Sequence, residues 1–303
     1  MNTEESYTIN VHGRLLSLAT PVVMGILNCT PDSFFAGSRK QTEAEIADRA
    51  NQIISEGGGI IDVGAFSTGP GAQEVSEEEE MRRLRFAMPI VRREQPDAVV
   101  SVDTYRPNVA KMVVEEYGAD IINDVSEGGI TGIVDKPLEE KYDVQGDEEF
   151  KDYPAIFRMM GQLKVPYILM SVQGNLHDMV MGFSREVQQL CDLGVKDIIL
   201  DPGYGFGKTM QVILDPGYGF GKTMQANFDI LRDQQKLTVF GLPILAGLSR
   251  KRLIWKTLGT SADEALNGTT VVDTLALING ASILRVHDVR EAVEVVKLVN
   301  CYK

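Results

Sequence analysis

The sequence predicts an α/β protein: a single (β/α)8 barrel of the TIM type with an N-terminal β-hairpin. Three observations carry this. Short apolar runs recur, and each stops at a polar residue: 22–27 at Asn28, 99–102 at Asp103, 121–122 at Asn123 and 198–200 at Asp201. The run 244–246 leads on to Ser249, Arg250 and Lys251, and 282–284 runs into Arg285 and His287. Stretches with helical apolar spacing separate the runs, and no linker interrupts the alternation. Parallel strands joined by helices point their C-terminal ends one way, so the polar groups beyond those ends converge on one mouth, where such barrels carry their active sites. A doubly wound open sheet alternates in the same way, but the even spread of polar strand ends favours the closed barrel.

The elements follow in order. Residues 7–11 and 15–18, joined through Gly13, read as a hairpin within segment 1–20. The run 22–27 is the first buried strand. Thr42 and Glu45 have capping-box spacing, and Ile46, Ala50, Ile53 and Ile54 form a helical stripe that the glycines at 57–59 end. Residues 60–63 form the next strand. Ser76 and Glu79 repeat the capping-box spacing ahead of Met81, Leu84, Met88 and Val91 on one helix face. Strand 99–102, helix 107–117 and strand 121–123 continue the alternation. Residues 128–152 are polar and irregular, a surface excursion. Strand 167–170, a helix, strand 197–200, helix 227–236, strand 242–246, helix 262–278, strand 282–286 and helix 290–299 complete one domain over 1–303.

Bulk properties narrow the function. The chain has 303 residues, 44% hydrophobic and 24% charged, enough for one large core. A net charge of −13 argues against a nucleic-acid partner. An anionic substrate remains compatible, because Arg250, Lys251 and Arg285 form a local basic cluster. Cys29, Cys191 and Cys301 are scattered and odd in number, which suits neither a disulfide framework nor a zinc site and points to a reducing cytoplasm. The acidic N-terminus does not read as a signal peptide, and no apolar run is long enough to span a bilayer, so no membrane partner is expected.

Residues 199–211 and 213–225 are identical over thirteen positions. One copy this short is not a solenoid repeat; it reads as a recent duplication within 199–225. A barrel has room for one copy at that strand end. Asp201 follows the stronger strand, and Asp215 precedes the stronger helix. Asp201 is the expected occupant, with the second copy bulging as loop; the opposite register would lengthen the preceding connection. Long loops cost little closure entropy, so folding survives either way.

Several motifs bear on chemistry. The Gly-Lys-Thr of each copy suggests a phosphate loop, but Pro202 and Pro216 stand where that motif needs glycine, so a flexible turn explains it. Asn28-Cys29-Thr30-Pro31-Asp32-Ser33-Phe34 makes a turn directly after a strand. Asn28 there either caps the turn or lends a neutral oxygen to a Mg²⁺ shell completed by phosphates and water. Asp103 and Asn123 at neighbouring strand ends, with Asp201, suit a heterocycle edge bearing donors and acceptors, although each alone is a common cap. Alternation puts Arg285 and His287 on one face, where they suit an anionic leaving group; the plain reading of a lone Arg is an ion pair. His12 lies in the hairpin and is incidental, and His177 is ambiguous.

Taken together, residues 24–34, 62–72, 101–104, 122–129, 200–209 with its copy, 246–251 and 285–288 resemble the dihydropteroate synthases, folate-pathway enzymes and sulfonamide targets. The match spans nearly the whole chain in the family's order. It implies a barrel, a homodimer, and condensation of 6-hydroxymethyl-7,8-dihydropterin pyrophosphate with p-aminobenzoate, giving 7,8-dihydropteroate and pyrophosphate by an SN1-like path. By the same resemblance Asp103, Asn123, Asp201 (or Asp215) and Lys251 hold the pterin, with Met170 near its ring, and Asp103, Asp201 and Lys251 act in catalysis. Asn28 binds Mg²⁺ and, with Arg285 and His287, the pyrophosphate. Phe34, Thr68, Pro70 and Ser249 shape the p-aminobenzoate pocket.

The chain departs from the family in places. Gly69 stands where Arg is usual, which removes charge-assisted bonds worth roughly 1.5–3 kcal/mol each. Ser171 replaces a usual His, Asn175-Leu176 a Thr-Pro, and Cys29 a Val. These changes and the duplication suggest a sulfonamide-resistant or impaired variant. Two other readings compete. A methyltetrahydrofolate methyltransferase shares the Asp/Asn cradle but has no need of the 28–34 loop or of the Arg285–His287 pair. A non-catalytic pterin-binding paralogue is favoured by Gly69, Ser171 and the repeat, and opposed by Asn28, Asp103, Asn123, Lys251, Arg285 and His287.

Overall fold

A computed structural model describes residues 7–29, 43–65, 75–129, 148–205 and 223–303. Eight parallel strands close into a barrel: β3 (Val22–Asn28), β4 (Ile60–Gly64), β5 (Val99–Asp103), β6 (Ile121–Asp124), β7 (Tyr167–Met170), β8 (Ile198–Asp201), β9 (Ile244–Ala246) and β10 (Ala281–Val286). β10 pairs with both β9 and β3, which closes the ring. The hairpin forms as expected, β1 (Thr8–Val11) against antiparallel β2 (Arg14–Ser17). No helix among the described residues is long and apolar enough to cross a membrane.

Both faces of each strand are buried, which is why the strands read as near-continuous apolar runs. One residue per strand points inward at the lower end: Met24, Ile60, Val99, Ile121, Ile168, Ile199, Leu245 and Ile283. These pack with Ile9, Val11 and Leu18, so the hairpin plugs the barrel floor. Polar contacts pin the plug. Asn10 N donates to Asp197 Oδ1, Arg14 donates to Asp97 O, and His12 Nε2 lies 3.1 Å from Ala119 O, all just ahead of barrel strands. The opposite strand faces, such as Val63, Val102, Ile122, Leu169 and Leu200, pack against the helices.

The helices are α1 (Glu43–Ser55), α2 (Glu77–Glu94), α3 (Pro107–Tyr117), α4 (Ala155–Leu163), α5 (Leu176–Asp192), α6 (Met224–Asp233), α7 (Arg252–Leu258), α8 (Leu266–Ile278) and α9 (Val289–Tyr302). Ser76 caps α2 by accepting from Glu79 N at 3.2 Å. The reciprocal half of that box is diverted, because the Glu79 carboxylate pairs with Arg82 and Arg83. Thr42, the other expected cap, lies outside the described residues. Two helices escaped the sequence reading. α4 follows the polar excursion and carries a mid-helix Gly161, which weakens its helical signal. α7 is only seven residues long. The helix expected over 227–236 starts earlier and tightens at Gln234–Phe240 into a 3-10 helix.

The junction of the two copies falls between two pinned points. Gly205 N donates to Asn227 Oδ1 at 2.8 Å, and Asn227 Nδ2 donates to Thr223 O at 2.9 Å. One side chain thus ties the residues that flank segment 206–222. Excising one fourteen-residue unit shortens this seventeen-residue segment to three residues. By loop-closure entropy it should raise unfolding free energy by about 1.5 kcal/mol. Urea melts of the full and shortened chains check this.

Candidate active site

Strand register sets the mouth. Asn28 pairs across to Gly64, Gly64 to Asp103 and Asp103 to Asn123, so four neighbouring strands end in one ring. Met170 pairs with Asp201 further round. Counting by twos from the floor layer brings Asp62, Asp103, Asn123, Met170, Asp201 and Arg285 to the inner face. Gly64 leaves room in this ring: a Cβ there would lie 2.8 Å from Asn28 Oδ1.

Arg285 sits between two carboxylates. Its Nε donates to Asp62 Oδ2 at 2.7 Å and its Nη2 to Asp103 Oδ2 at 2.9 Å. Asn123 Nδ2 reaches the same Asp62 oxygen at 3.4 Å. Burial opposes the charge on Arg285, but Asp62 and Asp103 outweigh it and raise its pKa. Burial pushes Asp103 up to about 7; Arg285 pulls it down, while Asp62, Glu80 and Asp124 add to the rise. Asp62 Oδ1, Asp103 Oδ1, Asn123 Oδ1 and Ser101 Oγ are buried without a hydrogen-bond partner among the described residues. Such groups cost about 1–3 kcal/mol each when left unpaired. Convergent acceptors of this kind suit a ligand edge rich in N–H donors.

The cationic side differs from expectation. Arg250 is not free for an anion: its Nε and Nη2 grip both Asp288 oxygens at 2.8 and 2.9 Å, and its Nη1 donates to Ala262 O and Asp263 O. His287 is neutral, because burial and then Arg285, Arg49, Arg250 and Lys251 push it down to about 3. Ser249 Oγ accepts from His287 N at 3.2 Å and lies 3.1 Å from His287 Nδ1. The neutral ring carries one N–H and one acceptor nitrogen. The expected cationic pair is therefore one cation and one neutral donor.

Lys251 caps α7, and its stem runs against Gly205, where a Cβ would lie 2.9 Å from Lys251 Cδ. Gly205 also has φ +71°, so only glycine suits that position. Asp201 ends β8, and its Oδ1 accepts from Gly203 N at 2.7 Å. Asp215, Phe34, Thr68, Pro70 and Gly69 lie outside the described residues. Among the described residues no cluster of three or more His, Cys, Asp or Glu suits a metal ion.

The sequence reading missed Asp62, Arg49 and the role of Arg250. Asp62 had a signal, a charge inside the apolar run 60–63. Arg49 lies in the apolar stripe of α1 and donates to Ile26 O and His287 O, tying β3 to the end of β10. Arg250 adopts φ +54°, a costly conformation for a non-glycine residue, between Ser249 and Lys251. Asp288→Asn should cost about 3 kcal/mol, since it leaves Arg250 buried with its countercharge gone; chemical denaturation measures this. Asp62→Asn should shift the Asp103 titration below 7, because a like charge is removed and Arg285 keeps its other carboxylate. Carboxyl ¹³C NMR reads that shift.

The pterin binding enzyme family matches residues 24–287. The Escherichia coli K12 dihydropteroate synthase is 34% identical over 305 residues, covering 95% of this chain and 94% of its own. A Streptococcus pyogenes dihydropteroate synthase is 34% identical over 300 residues, covering 95% and 98%. The Yersinia pestis enzyme solved with a sulfonamide drug superposes with TM-score 0.79 at 29% identity, covering 98% and 99%. The Xanthomonas albilineans enzyme with 4-aminobenzoic acid gives 0.77 at 30%, covering 98% of each chain. Matched in sequence and in three dimensions along almost its full length, the chain belongs to the dihydropteroate synthase family of pterin-binding enzymes.

Proposed function

We propose that this chain condenses 6-hydroxymethyl-7,8-dihydropterin pyrophosphate with p-aminobenzoate to give 7,8-dihydropteroate and pyrophosphate. The observation that supports it most is the buried, donor-poor Asp103–Asn123 edge in the mouth that also holds Arg285. Asp103, Asn123 and Asp201, or Asp215 in the alternative register, hold the pterin with Lys251, and Met170 packs near its ring. Asn28, Arg285 and His287 hold the pyrophosphate, His287 through a neutral N–H. Phe34, Thr68, Pro70 and Ser249 shape the p-aminobenzoate pocket.

In this reading the bond from the exocyclic methylene to the pyrophosphate oxygen breaks, and its electron pair leaves with pyrophosphate. Asp103 and Asp201 favour the resulting pterin cation over neutral states. The arylamine nitrogen attacks the methylene and then loses a proton. Asn28 fits Mg²⁺, which takes few protein oxygens and completes its shell with phosphate and water. When bound it would offset charge on the leaving group.

The same reading makes the protein a cytoplasmic homodimer. Val271, Leu275 and Ile278 support self-association, since they form an exposed apolar stripe on α8 at helical spacing. It also makes sulfonamides inhibitors that compete for the p-aminobenzoate pocket, and Gly69 a site of reduced sensitivity. The test is a synthase assay with both substrates and Mg²⁺, with and without sulfonamide. Pteroate formation supports the reading; pterin pyrophosphate bound without turnover would replace it with a non-catalytic pterin-binding role. Gly69→Arg should lower the sulfonamide inhibition constant, and an unchanged constant removes the resistance idea at that position.

A further inference from the structure

Beside the mouth, two buried glutamates from different elements meet. Glu127 lies in the turn after β6, four residues past Asn123, and Glu186 lies on α5. Both are fully enclosed. Gly182, one turn before Glu186, opens the space. A Cβ placed there would lie 3.0 Å from Glu127 Oε1, and 3.5 and 3.8 Å from the two Glu186 oxygens. Glu127 adopts φ +54°, an unfavourable conformation for a residue with a side chain. From that position its carboxylate crosses to the next loop. Its Oε2 accepts from Val172 N at 2.9 Å, and Gln173 Nε2 donates to its Oε1 at 3.0 Å and Oε2 at 3.2 Å. Val172 is two residues past Met170, and Ser171 N donates to Asp201 O at 2.8 Å. Glu186 Oε1 accepts from Arg185 Nη2 at 2.8 Å, but its Oε2 is buried with no donor among the described residues.

An acceptor with no donor beside a second carboxylate is explained if it carries a proton. We propose that Glu127 is a positioning residue for the pterin side of the mouth, clamping the β7–α5 loop to the β6 turn, and that a proton on Glu186, donated to Glu127, keeps the clamp closed. The pterin consequence rests on the synthase reading above; the clamp itself does not.

The surrounding groups agree. Burial, and then the charge of Glu127, push Glu186 up to about 8, against the pull of Arg185. Among the described residues, Asp124 on β6 and Tyr167 on β7 also titrate in this shell, and they hydrogen-bond each other. Burial, followed by opposing hydrogen bonds from Ser126 and Tyr167, raises Asp124, and burial with Asp124 and Glu186 raises Tyr167. Arg185 is the only cation that an ion pair places on Glu186 among the described residues, and it is largely exposed. As pH rises through about 8 the proton leaves, and two like charges face each other across the space that Gly182 opens. The clamp is therefore closed on the acid side and opens on the alkaline side.

The test compares wild type, Glu186→Gln and Glu127→Gln between pH 6 and 9.5. Hydrogen–deuterium exchange of residues 171–176, corrected for intrinsic rates, reads the clamp without any ligand. Wild type should lose protection about tenfold above pH 8. Glu186→Gln, which keeps a donor that cannot ionise, should stay protected throughout. Glu127→Gln should be exposed at every pH, with KM for the pterin pyrophosphate raised about tenfold and kcat little changed. Equal, pH-independent protection in wild type and Glu186→Gln, or unchanged exchange in Glu127→Gln, would overturn the proposal. A wild type that shows the expected exchange pattern but makes no pteroate would remove the synthase reading and leave the clamp standing.

Discussion

The mouth of this barrel depends on one cation. Arg285 rises from β10 into a space walled by carboxylates from β4 and β5 and joins both. Two buried carboxylates this close repel each other, and the positive charge of Arg285 between them offsets that repulsion. The remaining oxygens of Asp62, Asp103 and Asn123 have no partner among the described residues. That arrangement is costly for folding and useful for binding, because the acceptors are already desolvated and held in place when a donor-bearing ring arrives. Any anion that binds Arg285 competes with Asp62 and Asp103 for the same guanidinium, so its binding is coupled to the charge on Asp103 through one side chain.

Around this centre, side chains that never face the mouth hold its parts in register. Arg49 joins the carbonyls of Ile26 and His287. Arg250 spends its charge on Asp288 and on two loop carbonyls, and so presents Ser249 and Lys251 on either side of a strained residue. Arg106 on the approach to α3 pairs with buried Glu80 and donates to Val75 O, and Arg83 donates to Ala65 O. These two arginines fix the chain on both sides of segment 66–74. Burying so many guanidinium groups is tolerable because each meets a carboxylate or carbonyls in the geometry its planar fork requires.

The floor answers a different constraint. Strands buried on both faces leave an apolar opening at their N-terminal ends, and Ile9, Val11 and Leu18 of the hairpin close it. Stability is thereby concentrated at one end and chemistry at the other. Within the duplicated segment, Gly205 and Thr223 are both held by Asn227, on either side of residues 206–222.

Much of this was legible in the chain. Short apolar runs and helical spacing gave the eight strands, the hairpin and most helices, and the polar residue closing each apolar run marked Asn28, Asp103, Asn123 and Asp201 as strand-end groups. Those signals are local, so one sequence carries them. Short α7 and glycine-bearing α4 were hidden because their local signal is weak. What the sequence could not decide was pairing. That Arg285 belongs to Asp62 and Asp103, Arg250 to Asp288 and Glu127 to Glu186 depends on residues 38 to 223 positions apart. The charge states follow from the pairing: the same histidine that reads as a cation in the chain is neutral once burial and neighbouring cations surround it. Residue types and their order set which groups reach the mouth; only the closed barrel sets which of them neutralise one another and which remain to meet a ligand, because electrostatic energy depends on distance and desolvation, and neither exists before the chain folds.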